Sequence, residues 1–310
     1  MNNLHLNNSF YDQLPSITVK HYQNYPLSKI TWFKVGGPAE VLCLPSNIVE
    51  LKMILSIVPK EFQINVIGVC SNLLIRDGGV SGVVIKLGHD FKSIRREGNE
   101  FVVGGAALGV IVARLAAKSG ISGLEFLSGI PGTIGGAVAM NAGAFGSEIS
   151  DVFVSCEVID RFGNFFIFSK NDLNFSYRYS SLLEKYILLN VRLKGAFGNK
   201  GHIESKIQRI KSEREKVQPI RKRTGGSTFK NPSSSKRAWE LIDIAGCRGL
   251  VRGGAIVSTL HCNFLINTGF ATATDIEGLG EDVKMRVFNR TGTELEWEIK
   301  RIGSNLGEVM

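Results

Sequence analysis

The segment Ser128-Gly-Ile-Pro-Gly-Thr-Ile-Gly-Gly-Ala-Val-Ala-Met-Asn-Ala-Gly-Ala-Phe-Gly146 places six glycines in nineteen positions, a density that limits the fold more than any other feature of the 310 residues. Glycine loses more backbone freedom on ordering than any other residue and leaves no side chain to pack, so it weakens helix and strand interiors alike. The stretch is therefore expected to form neither a stable helix nor a central strand, but bare backbone that a ligand can approach. A second glycine loop, Gly68-Val-Cys-Ser-Asn-Leu-Leu-Ile-Arg-Asp-Gly-Gly79, lies between two expected strands, where successive N–H groups and small side chains can wrap a phosphate. Taken singly, either loop reads as a structural turn. Two in one domain point to a large ligand carrying a diphosphate. Neither G-x-G-x-x-G nor G-x-x-x-x-G-K-[ST] occurs, which disfavours a Rossmann cofactor site and a P-loop ATPase.

Around these loops the hydrophobic periodicity predicts a mixed α and β chain. Asn47-x-x-Glu50 opens a helix with Ile48, Leu51, Ile54 and Leu55 at helical spacing, followed by strands over 62–67, 83–87 and 101–103 and a helix over 108–118 that Gly120 ends. Residues 152–160 and 165–168 flank Arg161-Phe-Gly-Asn164 as a hairpin, and 186–193 returns as a strand, after which a domain can close near residue 197. The second part reads as a charged helix over 202–216 stopped by Gln218-Pro219, a short helix over 237–245, strands at 255–257 and 264–266, and a helix from Thr274-x-x-Glu277 to Gly292. A final strand spans 295–302, and residues 1–28, polar and without a period, read as an arm or loop.

Lys and Arg number 37 against 28 Asp and Glu, and nine of the basic residues fall between Lys206 and Lys230 against Glu213 and Glu215. A net charge of +9 favours an anionic partner or substrate. Nucleic acid is a poor candidate, because Phe229 is the only aromatic in the basic run and one ring makes no stacking platform. No run of eighteen apolar residues and no basic segment leading into an apolar one occurs, which argues against membrane insertion and ordinary secretion. Cys43, Cys70, Cys156, Cys247 and Cys262 are odd in number, far apart and without a Cys-x-x-Cys pair, the usage of reduced thiols in a cytoplasm. The histidines have no metal-ligand spacing, so no metal is expected.

Three stretches could carry chemistry. Gly225-Gly-Ser-Thr-Phe-Lys-Asn-Pro232 puts Ser227 three residues before Lys230, but the Ser-Asp-Asn and Lys-Thr-Gly companions of a Ser-x-x-Lys acylase are only partly matched. A turn serine beside an exposed lysine fits the same letters. Leu295, Trp297 and Ile299 alternate with Glu296, Glu298 and Lys300, so two carboxylates share a face that either lines a cleft or meets water. In Tyr177-Arg178-Tyr179-Ser180 a guanidinium sits between two aromatics, which suits holding a carboxylate in a fixed fork and equally suits a packed surface arginine.

With Thr31-Trp-Phe-Lys-Val-Gly-Gly-Pro-Ala-Glu40 added, these motifs in this order resemble one family over nearly all the chain after residue 28. It is the flavin-dependent UDP-N-acetylenolpyruvoylglucosamine reductases of peptidoglycan synthesis (MurB), in their shorter class. The resemblance implies an α+β fold. A two-lobed FAD-binding domain of the p-cresol methylhydroxylase and vanillyl-alcohol oxidase type would span 29–197, with a smaller α+β substrate-binding domain over 198–310 and an N-terminal arm over 1–28. It implies FAD as cofactor, NADPH as co-substrate and UDP-N-acetylglucosamine-enolpyruvate as substrate. The activity implied is that of a UDP-N-acetylmuramate dehydrogenase, acting in the cytoplasm as a monomer.

By the same resemblance Ser227 delivers a proton while Arg178 and protonated Glu298 bind the developing enediolate. The cofactor would meet Gly68, Ser71, Asn72, Leu73, Gly129, Ile130, Pro131, Gly132, Gly136, Asn141, Ala142 and Gly143, and the substrate Tyr177, Lys216, Lys230, Asn231 and His261. Two positions depart from the pattern: Lys34 stands where arginine is more frequent, and Cys70 where glycine or another small residue is usual.

Overall fold

Asn47 caps the helix Ile48–Ile57 as its spacing predicts, its Oδ1 accepting the Glu50 N–H at 3.0 Å while Glu50 Oε2 accepts the Ser46 N–H at 2.7 Å. The computed structural model describes residues 10–16, 18–182, 185–233 and 236–308. The chain divides into two compact units: Met1–Gln23, Val41–Gly68 and Gly82–Ser212 make the first, and Asn24–Glu40, Val69–Ser81 and Glu213–Met310 the second. This division departs from a single cut at 197/198. Leu73–Ile75 pairs in parallel with Lys300–Ile302, and that long-range pairing draws 69–81 in with the C-terminal residues.

The first unit is built on a five-stranded sheet in the order Phe165–Ser169, Phe153–Asp160, Tyr186–Lys194, Glu100–Gly104, Ile94–Glu97. Its neighbours are antiparallel, and the hairpin around Arg161-Phe-Gly-Asn164 pairs Cys156 with Phe168 and Val158 with Phe166. Between Glu157 and Val158 the register against the next strand slips, Glu157 facing Asn190 and Val158 facing Leu188. One unmatched residue reverses the in-and-out alternation. Thus Leu188, Val191 and Leu193 all reach the core with Phe101, Val112, Phe126 and Val138, whereas Ile187 and Leu189 pack on the opposite face with Leu51, Ile54, Val83 and Ile85.

Two expectations are corrected in this unit. The 1–28 segment is not a free arm over its described part: Phe10, Leu14 and Val19 are buried in the second of these clusters. The steps of four and then five residues from Phe10 to Leu14 to Val19 sustain no single period. Residues 1–9 and 17 lie outside the described residues. The glycine-rich stretch does contain a helix, Ile134–Ala139. Gly135 allows close packing, since a Cβ there would stand 2.8 Å from the Gly105 carbonyl oxygen, and Ile134 and Val138 are fully buried. Burial of that kind outweighs a glycine cost of about 1 kcal/mol per residue.

The second unit packs Phe33, Val35, Leu74 and Phe229 with Ala238, Leu241, Val257, Leu265, Ile276, Val283, Leu295 and Ile299. Its long helix, Ala273–Thr291, ends at Gly292 in the left-handed conformation (φ 69°), as expected, but its cap differs. Thr272 and Asp275 form the capping box in place of Thr274 and Glu277, and Asp77 from the glycine loop accepts the Ala273 and Thr274 N–H groups at 2.9 and 2.8 Å. The final strand is also shorter than expected, Lys300–Ile302, with Trp297 contributing an isolated bridge to Phe229. No helix among the described residues is long and apolar enough to cross a membrane.

Relieved of the cap, Glu277 takes two hydrogen bonds from Arg76, Nε to Oε2 at 2.9 Å and Nη2 to Oε1 at 2.8 Å, and one from Arg301 Nη1 at 3.0 Å. The Arg76 hydrogen bonds are the strongest influence holding its carboxyl below the usual glutamate range, against the opposing effect of burial. A carboxylate with a depressed folded pKa stabilises the fold above its unfolded pKa, and that stabilisation is lost as pH falls toward and through the folded value. Glu277→Gln is therefore expected to lower stability at pH 7 by on the order of 2 kcal/mol and to flatten the loss of stability below about pH 4.5. Thermal denaturation from pH 7 to pH 3 checks this; parallel pH profiles for variant and parent would contradict it.

Candidate functional site

In the first unit the two glycine loops meet. A Cβ on Gly68 would lie 2.5 Å from Thr133 Oγ1, so only bare backbone fits there, and the Gly68 carbonyl accepts a hydrogen bond from Lys86 Nζ at 3.1 Å. Lys86 was not singled out from the sequence, where it is one polar residue in an apolar strand. The structure makes it the cation at the junction of the loops. Thr133 caps the short helix through Gly136 N at 3.4 Å, and the Gly132 carbonyl accepts from Gly109 N at 3.2 Å. Gly129 lies under the Phe145 ring, where a Cβ would come within 2.8 Å of it; Ile130 and Pro131 join Gly129 to Gly132. Converging bare backbone with a lysine at its edge fits the diphosphate of a dinucleotide cofactor such as FAD.

Beyond this helix, Asn141 is fully buried with φ at 43°, and its side chain ties the loop together. Its Nδ2 donates to Glu148 Oε1 (2.8 Å) and to the Ser176 carbonyl (3.1 Å), and its Oδ1 accepts from Ser150 N (2.9 Å). The Ala142 carbonyl accepts from Ile149 N, and the Gly143 carbonyl accepts from Arg178 Nη2 at 3.2 Å. Arg178 lies over the Tyr177 ring at 4.8 Å and has φ at 57°. The Tyr-Arg-Tyr motif and the glycine loop thus form one construction, with the guanidinium anchored at its far edge.

In the second unit the structure joins Ser227 and Glu298 through their backbones. Ser227 bridges Phe264 on one side, and on the other the next residue, Thr228, accepts a hydrogen bond from Glu298 N–H at 2.8 Å. Asn72 closes the group: its Nδ2 donates to the Glu298 carbonyl at 3.0 Å, and its own carbonyl accepts from Lys300 N at 3.2 Å. Ser71 and Leu73 flank it, Leu73 already in the strand paired with Lys300. Leu295 and Ile299 are buried, Glu296 and Lys300 exposed, and Glu298 half-buried between them, so the alternation read from the sequence holds. The hydroxyls of Thr224 and Thr228 are buried without a hydrogen-bond partner, leaving polar atoms near Ser227 in need of one.

The remaining residues expected to meet substrate differ in setting. Lys230 Nζ pairs with Glu296 Oε2 at 3.0 Å, and Asn231 Oδ1 accepts from Ala238 N at 3.1 Å, capping the short helix Ala238–Ile244. His261 packs edge-on to Phe264 and Trp239, and burial lowers its pKa. Its Nδ1 accepts from Asn263 N at 3.3 Å, which leaves the neutral ring presenting Nε2–H as a donor. Lys216 is exposed in the last turn of Lys200–Val217, whereas Arg214 in the same turn is the more enclosed cation, its pKa lowered by burial and its Nε bonded to Gln218 Oε1 at 3.0 Å. Arg214 carried no motif of its own in the basic run.

Cys70 has φ at 56° and is buried. The left-handed conformation explains why a small residue suits this position, since a Cβ there costs roughly 1–2 kcal/mol. Cys70→Gly is expected to unfold within about 1 kcal/mol of the parent and Cys70→Val at least about 2 kcal/mol below it. Denaturant melts decide this; a valine variant as stable as the glycine one would contradict it.

Comparison with known proteins agrees with this geometry. Residues 39–169 match a family described as FAD binding domain, and residues 218–302 match UDP-N-acetylenolpyruvoylglucosamine reductase, C-terminal domain. The UDP-N-acetylenolpyruvoylglucosamine reductase of Paramagnetospirillum magneticum is 51% identical over 292 residues, covering 94% of this chain and 95% of that protein. That of Azorhizobium caulinodans is 50% identical over 290 residues, covering 94% of each. Among solved structures, UDP-N-acetylenolpyruvylglucosamine reductase (MurB) from Thermus caldophilus superimposes with a TM-score of 0.79 at 35% identity, over 91% of this chain and 98% of that one. The α+β class expected from the sequence, an FAD-binding domain followed by a further C-terminal domain, therefore stands.

Proposed function

The chain belongs to the UDP-N-acetylenolpyruvoylglucosamine reductase family, and from that premise we propose that it reduces the enolpyruvyl double bond of UDP-N-acetylglucosamine-enolpyruvate to give UDP-N-acetylmuramate. FAD is the cofactor and NADPH the reductant in this reading; bound FAD supplies the hydride. The cofactor would be held chiefly from within 29–197, by the bare backbone at Gly68 and 129–143, and the substrate chiefly from 198–310.

Hydride addition to an enol ether conjugated with a carboxylate builds negative charge that spreads into that carboxylate. Arg178 meets this charge with a planar fork of donors, steadied by Tyr177 and by the Gly143 carbonyl. Protonated Glu298 donates a second hydrogen bond, and the Ser227 hydroxyl delivers the proton to the adjacent carbon. The cations of the basic run, Arg214 and Lys216 among them, suit the UDP diphosphate, and His261 Nε2–H and Asn231 offer neutral contacts.

The observation that supports the roles of Ser227 and Glu298 is the 2.8 Å bond from Glu298 N–H to the Thr228 carbonyl, which keeps their segments on adjoining backbones. The purified protein should be yellow, and its NADPH oxidation should depend on the enolpyruvyl sugar with little oxygen consumed. A colourless protein that takes up no FAD contradicts the reading, and brisk oxygen consumption would indicate an oxidase on the same cofactor domain.

A further inference from the structure

We propose that Asn263 is a positioning residue for Ser227, its side-chain amide clamping the Thr228–Phe229 backbone so that the serine hydroxyl is held at the reacting carbon. The inference rests on the reading of Ser227 as proton donor. Asn263 is buried and touches the Ser227 segment at consecutive residues: its carbonyl accepts from Thr228 N at 2.8 Å, its Oδ1 from Phe229 N at 3.0 Å, and its Nδ2 donates to the Phe229 carbonyl at 2.9 Å. On the opposite edge the same segment is tied through Thr228 and Lys230, which bond the backbones of Glu298 and Glu296 at 2.8 Å each. Phe229 therefore turns its own N–H and C=O toward Asn263, and one amide satisfies both.

An amide making both bonds fixes the rotation of the Phe229 peptide as well as its distance, and Ser227 lies only two residues away. Proton delivery is sensitive to such placement: a displacement of about 1 Å costs roughly 10²-fold in rate. Asn267, also buried, donates instead to the Phe33 carbonyl at 2.8 Å and accepts from Gly269 and Ala271. Its side chain bonds no residue of the 227–230 segment and serves as the comparison.

The test uses the FAD-loaded enzyme and five variants: Asn263→Asp, which keeps the shape and loses the donor to Phe229; Asn263→Ala; Asn267→Ala; Ser227→Ala; and Asn263→Asp combined with Ser227→Ala. NADPH-reduced enzyme is mixed anaerobically with UDP-N-acetylglucosamine-enolpyruvate, and UDP-N-acetylmuramate binding is measured by calorimetry. Asn263→Asp is expected to slow substrate reduction at least about tenfold while product binding changes by less than about threefold, and Asn267→Ala to lower stability with the rate within about twofold. In the Ser227→Ala background the Asn263 change should add less than about twofold, because residues acting through one group are not additive. A full additional loss there, or an Asn263→Asp or Asn263→Ala rate within twofold of the parent, overturns the clamp. Near-normal turnover by Ser227→Ala alone would instead remove the donor assignment on which it rests.

Discussion

Ser227→Ala is expected to retain FAD and its reduction by NADPH but to lose reduction of the enolpyruvyl substrate by at least ~10²-fold. The argument is one of charge and proton balance. Saturating the double bond needs a hydride at one carbon and a proton at its neighbour, and alanine offers no proton. Serine is a weak acid, so the reaction depends on the developing anion being stabilised first and on the hydroxyl being held in place. Lys230, three residues after Ser227, is engaged at 3.0 Å with Glu296. Separate rates for flavin reduction and substrate reduction decide the matter; near-normal turnover removes Ser227 from the mechanism.

Glu298→Gln is expected to lower turnover at least about tenfold while UDP-sugar binding stays within about tenfold. Glutamine keeps the shape of the side chain, and the backbone of residue 298 is held from both sides, its N–H by Thr228 and its carbonyl by Asn72. What is lost is the stronger hydrogen bond of a carboxylic acid to an accumulating anion, which matters in the transition state more than in the bound substrate. Equal losses in binding and rate would make Glu298 an affinity residue.

The sequence exposed some of this architecture and concealed the rest for identifiable reasons. Where one face is buried against water on the other, periodicity is strong: the Asn47-capped helix, the 153–169 hairpin and the Leu295, Trp297, Ile299 alternation were all legible. Ile134–Ala139 was hidden because burial of Ile134 and Val138 overrides glycine propensity, an effect only tertiary contacts reveal. The cap at Thr272 was displaced by two residues from the Thr274 pattern because Asp77, far away in sequence, occupies the Ala273 and Thr274 N–H groups. For the same reason the Gly68–Gly79 loop has two parts: Gly68 faces Thr133, while Arg76 and Asp77 brace the long helix. Lys86 and Asn263 left no signal, and Arg214 none beyond its place in the basic run, since a single polar residue gains meaning only from the backbone it meets in the fold.

The most direct test of the central claim is a single anaerobic turnover. The protein is loaded with FAD, bleached with one equivalent of NADPH, and mixed with UDP-N-acetylglucosamine-enolpyruvate while flavin absorbance and product are followed together. Return of the yellow colour with one UDP-N-acetylmuramate formed per flavin is the expected result. Flavin that stays bleached, or that recovers only when oxygen is admitted, would contradict it.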